Sequence, residues 1–319
     1  MLRYALKRLF HLLPVFFGVT VLVFALLRLA PGDAARIRLA DLGLDPSPEI
    51  LANLREELGL NRPLGEQYLL WLRDVSRLDF GLSLTSGKPV VREYLAHLKP
   101  TAVLAFLSLI LSLTIALPAG VFSALMKNRP FDHLCRGLAI LSLSIPSFCL
   151  GLFCILLFSV HLRWLPSFGS GRPEHLVLPI VTLTLGSAAH YTRFIRGTLL
   201  EEFSKDYIRA ARARGLTSGA LVWDLALKNA AAPVITSVGM SLALLLGGQA
   251  VVEKVFSWPG AGKYLIDAIL QRDYNVVQCA VILFACFFVG INLIADLLCM
   301  LIDPQIRRSS VNKPRSAGV

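Results

Sequence analysis

Apolar positions along the chain gather into six windows nearly free of charge: Leu9 to Ala30, Ala102 to Met126, Leu138 to Val160, Leu176 to Thr192, Ala230 to Val252, and Val276 to Ile302. A helix rises about 1.5 Å per residue, so roughly 20 residues cross the hydrocarbon layer of a bilayer. All six windows qualify, the fourth by the smallest margin. The pattern predicts an all-α membrane protein with six transmembrane helices. Pro14, Pro118 and Pro146 fall inside windows, where a missing N–H and a clash with the preceding turn bend a helix.

Between the first two windows lies the one sizeable polar stretch, Pro31 to Lys99. Ser47 can cap a helix that has Pro48 at its first position, and Gly59 can stop it. An amphipathic run from Leu64 to Arg77 precedes Asp79-Phe80-Gly81, and Val90 to Leu98 leads into the second window. The expected organisation is a first transmembrane helix over 1–30, an external helical cap over 31–99, and a five-helix core over 100–302. Within that core the segment 193–229 is a cytoplasmic loop, and 303–319 is a cytoplasmic tail.

Two windows repeat small residues every four positions: Ser108, Ser112, Ala116, Gly120 and Ala124 in the second, Gly239, Ala243 and Gly247 in the fifth. Helices in lipid associate through close backbone approach, so these rows predict helix–helix seams.

Composition and charge narrow the picture. With 55% hydrophobic and 17% charged residues, the chain has too much apolar surface for one soluble core. Arg3, Lys7 and Arg8 precede the first window as in a secretory signal. The run from Leu9 to Ala30 is longer than the roughly 7–15 residues of a signal core, and Arg28-Leu29-Ala30-Pro31 is a poor cleavage context, so an uncleaved helix is expected. If the amino terminus is cytoplasmic, the inner segments carry the whole formal excess of +11 and the outer segments balance. That asymmetry places both termini in the cytoplasm. It also removes the motive for reading the isoelectric point near 9.7 as nucleic-acid binding.

Chemistry is sparse. Cys135, Cys149, Cys154, Cys279, Cys286 and Cys299 lie in or beside apolar windows without a C-x-x-C pair, which fits packing rather than disulfides or zinc. His190 stands alone beside Tyr191, Arg193 and Arg196, more a packing or interfacial residue than a ligand, and no metal site is expected. Asp296 and Arg28 are the charged residues within windows, and neither makes a midplane relay, which argues against an ion-driven carrier. Pro259-Gly260-Ala261-Gly262-Lys263-Tyr264 looks like a phosphate loop, but Ser257 and Tyr264 stand where the motif needs Gly and Ser or Thr. No catalytic residues are expected.

The inner segment between the fourth and fifth windows contains Lys205 to Gly215. From Asp206 to Arg214 its pattern predicts a helix with Tyr207, Ala210, Ala211 and Arg214 on one face and Gly215 as its stop. Small alanines flanked by arginines suit docking in another protein's groove.

Asp206, Tyr207, Ile208, Ala211, Arg212, Gly215 and Leu216 resemble the motif D-Y-[IV]-x-x-A-[KR]-x-x-G-L of permeases of ATP-binding-cassette importers in the dipeptide, oligopeptide and nickel family. Arg209 departs from an older form of that motif, which has an acid there. Further blocks are similar in order: Met1 to Tyr4 with Arg28 to Asp33, Leu58 to Leu60 with Pro63-Leu64 and Gln67-Tyr68, then Glu253 to Gly262, and Arg272-Asp273-Tyr274. The resemblance implies a type I importer permease fold and a coupling helix made of Asp206, Tyr207, Ile208, Arg209, Ala210, Ala211, Arg212, Arg214, Gly215 and Leu216. It implies an external loop or gate containing Glu253, Phe256, Trp258, Pro259, Gly260, Gly262, Asp273 and Tyr274. The implied partners are a second similar permease, two ATPase subunits and an extracytoplasmic binding protein, within the bacterial inner membrane. This chain would bind no cofactor, with ATP and Mg on the ATPases. Leu78 to Ser83, Ser47-Pro48-Glu49 and Gln278-Cys279 look more like the nickel branch, with dipeptide or oligopeptide import as the alternative and a carrier or channel as a more remote one.

Overall fold

The structure, a computed structural model, describes residues 14, 16–25, 39, 47–57 and 59–302. Expectations resting on Met1 to Lys7 and Arg8, on Arg28 to Asp33, on Leu58 and on the tail 303–319 fall outside those residues.

Among the described residues the helices run in chain order as follows. A short apolar helix α1 (Phe16–Ala25) comes first. The cap follows as α2 (Pro48–Glu57) and α3 (Leu64–Ser76). Helix α4 (Val90–Leu125) is 36 residues long and keeps Pro100 and Pro118 inside it. Helices α5 (Pro130–Ser144) and α6 (Ser147–Cys154) meet at a sharp bend, and α6 continues as a π-helical turn, Ile155–His161. Then come α7 (Glu174–Ser204) and the short α8 (Asp206–Ala213). Ser218–Ala220 and the π-helical Leu221–Ala226 lead without a break into α9 (Leu227–Gly248). The chain closes with α10 (Ala250–Val255), α11 (Ala261–Leu270) and α12 (Tyr274–Ile302). Among the described residues the only strand-like feature is an isolated antiparallel bridge between Leu82 and Pro89.

Among the described residues three helices are long and apolar enough to cross a membrane: α4, the run Leu221–Gly247, and Tyr274–Leu301. The third apolar window is not straight. Its two halves, Pro130–Ser144 and Ser147–His161, are bent by 98° at Ile145, which is extended (φ −99°, ψ 125°). A residue preceding proline is pushed out of the helical region, and Pro146 imposes that here. The fourth window lies within α7, whose Thr182, Thr184, Ser187 and His190 dilute its hydropathy.

Two boundaries differ from expectation. The segment 193–229 is no loop, because α7 continues to Ser204 and α8 follows after the single extended residue Lys205 (ψ 149°). The extension is held by a stripe of helical period, Ile195, Leu199 and Glu202, all buried. The fifth window ends early, at Gly248, and Gln249 separates it from α10. Consecutive Gly247 and Gly248 weaken the helix at that point.

The core is arranged along the small-residue rows. Ser108, Ser112, Ala116, Gly120 and Ala124 are all buried where α4 lies against α7. A Cβ added to Gly120 would sit 2.9 Å from the Ile195 side chain and 3.1 Å from the Thr192 carbonyl. The Thr184 hydroxyl reaches the Ser108 carbonyl (3.4 Å), and the Ser112 hydroxyl reaches those of Ser108 (2.6 Å) and Thr184 (3.5 Å). Such a contact leaves room for backbone approach and nothing larger. Between α9 and α12, Ala243 is fully buried, a Cβ on Gly239 would lie 2.4 Å from that of Ala295, and one on Gly247 would overlap the Phe284 ring.

At one end of the bundle the cap is built into the helices. Val75, Phe80, Val90 and Tyr94 form one buried cluster with Ala261, Ala268, Val276 and Cys279. Helix α1 leans on α3, with Phe24 5.4 Å from the Tyr68 ring and Thr20 2.9 Å from its hydroxyl.

Candidate functional site

Helix α8 stands at the end of the bundle away from the cap. Its stop is a Schellman arrangement: Gly215 N–H donates to the Arg212 carbonyl (3.0 Å) and Leu216 N–H to the Ala211 carbonyl (3.3 Å). Gly215 has φ +85°, a left-handed conformation that glycine adopts without the Cβ penalty.

One side of α8 is bolted to the core. Ile208 is 1% exposed and packs with Tyr191, Ile195, Leu199, Leu221 and Val222, while Ala211 packs beside it. Placing Ala211 on the free face therefore needs correction. Positions 208 and 211 share a face three residues apart, and the large Ile208 takes the inward direction. Asp206, Arg209, Ala210, Arg212, Arg214, Gly215 and Leu216 remain exposed. The Arg209 guanidinium lies 3.3 Å from Asp206, both in solvent, where such a pair contributes little.

Tyr207 is tied rather than free. Its hydroxyl donates to Glu202 Oε2 (2.5 Å) and accepts from Asn229 Nδ2 (2.9 Å). Lys205 Nζ donates to Glu202 Oε1 (2.5 Å). Burial, then the hydrogen bond to Glu202, pushes the Tyr207 phenol up from its ordinary pKa, and the same carboxylate raises that of Lys205.

Nearby is an ion pair that the linear sequence concealed. Asp132, fully buried in the first turn of α5, takes a forked contact from Arg196 of α7, Nε to Oδ1 at 2.5 Å and Nη2 to Oδ2 at 2.8 Å. The Ser123 hydroxyl of α4 (2.6 Å) and the Asn128 amide (2.9 Å) complete the carboxylate's partners. Three helices thus meet on one carboxylate. The two residues are 64 positions apart, so no local spacing pairs them.

The outer segment folds as a hairpin of α10 and α11 around another carboxylate. Glu253 is fully buried. It accepts the Thr101 hydroxyl on Oε1 (2.6 Å) and the Lys263 amide on Oε2 (2.9 Å), while the Ala261 amide donates to Thr101 Oγ1 (2.8 Å). The first amides of α11 have no partner inside their own helix, and Glu253 and Thr101 supply one. The phosphate-loop look of Pro259 to Lys263 is thereby explained: its amides do cradle an acidic group, and that group is the carboxyl of the chain's own Glu253. Gly260 has extended geometry (φ −90°, ψ 171°), so it serves close approach. An added Cβ there would lie 2.3 Å from the Glu253 carboxyl, and one on Gly262 2.6 Å from Ala250 Cα.

His97 joins the hairpin, with Nδ1 3.0 Å from the Pro259 carbonyl and its ring stacked on Tyr264 at 4.5 Å. Phe256 and Trp258 are buried and Tyr274 is half-buried. Asp273, also fully buried, accepts the hydroxyls of Ser83 (2.6 Å) and Thr85 (3.1 Å), and the Trp71 indole donates to Gln278 (2.9 Å). The gate residues thus form a packed body with the cap, not an extended loop.

His190 stacks near Phe194 (6.2 Å) and borders a shallow groove with Arg193, Gly197 and Thr198. Asp296 is half-buried on α12. All six cysteines are free thiols. Among the described residues no group of three or more His, Cys, Asp or Glu is placed to hold a metal ion.

Comparison with known proteins gives this arrangement its family. Residues 116–308 match the family described as binding-protein-dependent transport system inner membrane component, and residues 1–100 match its N-terminal counterpart. The glutathione transport system permease protein GsiC of Shigella flexneri serotype 5b (strain 8401) is 40% identical over 307 residues, covering 96% of this chain and 99% of that protein. The protein of the same name from Escherichia coli (strain K12) is 39% identical over the same shares. Among solved structures, an inward-facing conformation of the MetNI methionine ABC transporter superposes with a TM-score of 0.55 at 23% identity, covering 67% of this chain and 97% of that one. The last likeness speaks to the fold alone. The chain belongs to the binding-protein-dependent inner membrane components: it is an inner-membrane permease of the dipeptide, oligopeptide and nickel family of ATP-binding-cassette importers.

Proposed function

We propose that this permease carries short peptides of the glutathione type, with α8 as the helix that docks on an ATPase subunit. The observation that carries the substrate reading is the 40% identity to a glutathione permease across 96% of the chain. The lean toward nickel rested on a few short stretches and gives way to that full-length likeness. A peptide needs a roomy, weakly polar path rather than a ligand cluster.

The docking reading is supported by the shape of α8. It is fastened by Ile208 and Ala211 on one side and exposes Ala210, Arg209 and Arg212 on the other. Arginine forks beside a small residue suit an acidic, close-fitting groove. ATP and Mg would be held by the ATPases, and an extracytoplasmic binding protein would deliver the peptide near the α10–α11 hairpin. A second similar permease would complete the path. Closure of the ATPases would displace α8 and switch the path between two states.

The test is uptake by proteoliposomes holding the permeases, ATPases and binding protein, supplied with labelled glutathione, dipeptides or a nickel chelate. ATP-dependent uptake of glutathione or dipeptide is expected. Uptake of the nickel chelate alone would overturn the substrate reading.

A further inference from the structure

We propose that Glu202 and Asn229 are positioning residues that pass the displacement of α8 to two separate helices through the Tyr207 hydroxyl. This rests on the docking reading above and names its internal route. Tyr207 is the point at which three elements meet: Glu202 belongs to the last turn of α7, Tyr207 to α8, and Asn229 to the first turn of α9.

Three kinds of attachment hold α8. The first is covalent, through a single residue at each end: Lys205, which is extended, and Gly215, which has φ +85° and faces open space. The second is the apolar contact of Ile208 and Ala211, which holds α8 on the core but is non-directional. The third is the chain Asn229 to Tyr207 to Glu202. It is directional, ends on a carboxylate that is 6% exposed, and its 2.5 Å contact belongs to the strong class of hydrogen bonds to charge. Lys205 holds the other oxygen of the same carboxylate, so Glu202 cannot turn away without losing both partners.

The destinations give the tie its meaning. Helix α7 carries the tight α4 seam at Gly120 and, through Arg196, the buried carboxylate of α5. Helix α9 is 22 residues long and ends one residue before α10, which carries Glu253 and the outer hairpin. Its seam with α12 admits no Cβ at Gly239 or Gly247, so a displacement of α9 is shared with α12. A push on Tyr207 therefore reaches the far side of the bundle through α9 and the α4 seam through α7.

The test uses the full transporter in proteoliposomes and reads three quantities: ATP hydrolysis, peptide uptake, and a cross-link from α8 (Ala210→Cys) to an ATPase subunit. Asn229→Leu removes the tie to α9 from a solvent-facing position, and Glu202→Met removes the tie to α7. Both are expected to retain the cross-link and ATP hydrolysis while uptake per ATP falls about ten-fold, the scale of one lost hydrogen bond. Asn229→Gln, which keeps the donor, is expected to recover part of it. Uptake per ATP within about two-fold of wild type in both variants would overturn the inference while leaving docking intact. Equal falls in hydrolysis, uptake and assembled complex would also overturn it, since a merely structural role behaves that way. No cross-link in the otherwise unaltered complex would overturn the docking reading first, and this inference with it.

Discussion

Glu253 shows how much a single side chain organises. Burial is the largest influence on it and raises its pKa, outweighing the Thr101 hydroxyl and the Lys263 and Gly262 amides that act the other way. A raised pKa in the folded state means that the fold holds this proton more tightly than the unfolded chain does. The stabilisation is then fully present below the unfolded glutamate value of about 4.3 and is lost as pH rises through the raised value. Glu253→Gln cannot ionise, and its amide can still face Thr101 and the α11 amides. The variant is expected to lose less stability than wild type as pH is raised above about 5, which melting curves in detergent over a pH series would show. A variant as steeply dependent on pH as wild type over that range would refute the assignment.

Among elements, the junction of α4, α5 and α7 depends on one pair. Asp132 is wholly buried and the Arg196 side chain is 15% exposed, so removing one partner leaves a charge without compensation. Arg196→Leu is expected to destabilise the chain by about 3–5 kcal/mol, and adding Asp132→Asn should restore part of that. Thermal unfolding of the single and double variants checks it, and equal melting points for wild type and Arg196→Leu would refute it. The long α7 was half legible in the sequence. Its apolar window was visible because every position contributes locally to hydropathy. The continuation to Ser204 was hidden behind Arg193, Arg196, Glu201 and Glu202, charges that lower local hydropathy, and the buried partner of Arg196 lies 64 positions away.

For the whole molecule, two buried carboxylates frame the bundle, Glu253 in the outer hairpin and Asp132 near the end that bears α8, with the small-residue seams between them. On the proposed docking reading, function on this scale rests on the exposed face of α8. Ala210→Trp fills the exposed face without touching Ile208, so the permease should insert normally. Overpacking of about 1–3 kcal/mol at a docking surface would weaken ATPase co-purification by about ten-fold or more. Undiminished recovery of the ATPase would count against α8 as the docking element.

The sequence by itself determined that this chain lives in a membrane, which stretches are apolar, where α8 lies and where it stops. These properties follow from local hydropathy, from proline and glycine geometry and from spacing within a few residues. Its small-residue rows also marked the faces that pack, because that periodicity is written along a single helix. Only the tertiary structure decided that Ala211 faces inward, that Tyr207 is tied to Glu202 and Asn229, and that Glu253 fills the cradle of its own glycine-rich loop. Each of those depends on which distant residue arrives opposite. Thr101 meets Glu253 across 152 positions and Arg196 meets Asp132 across 64. Burial then makes such meetings strong, since a polar group withdrawn from water must find its partner within the protein.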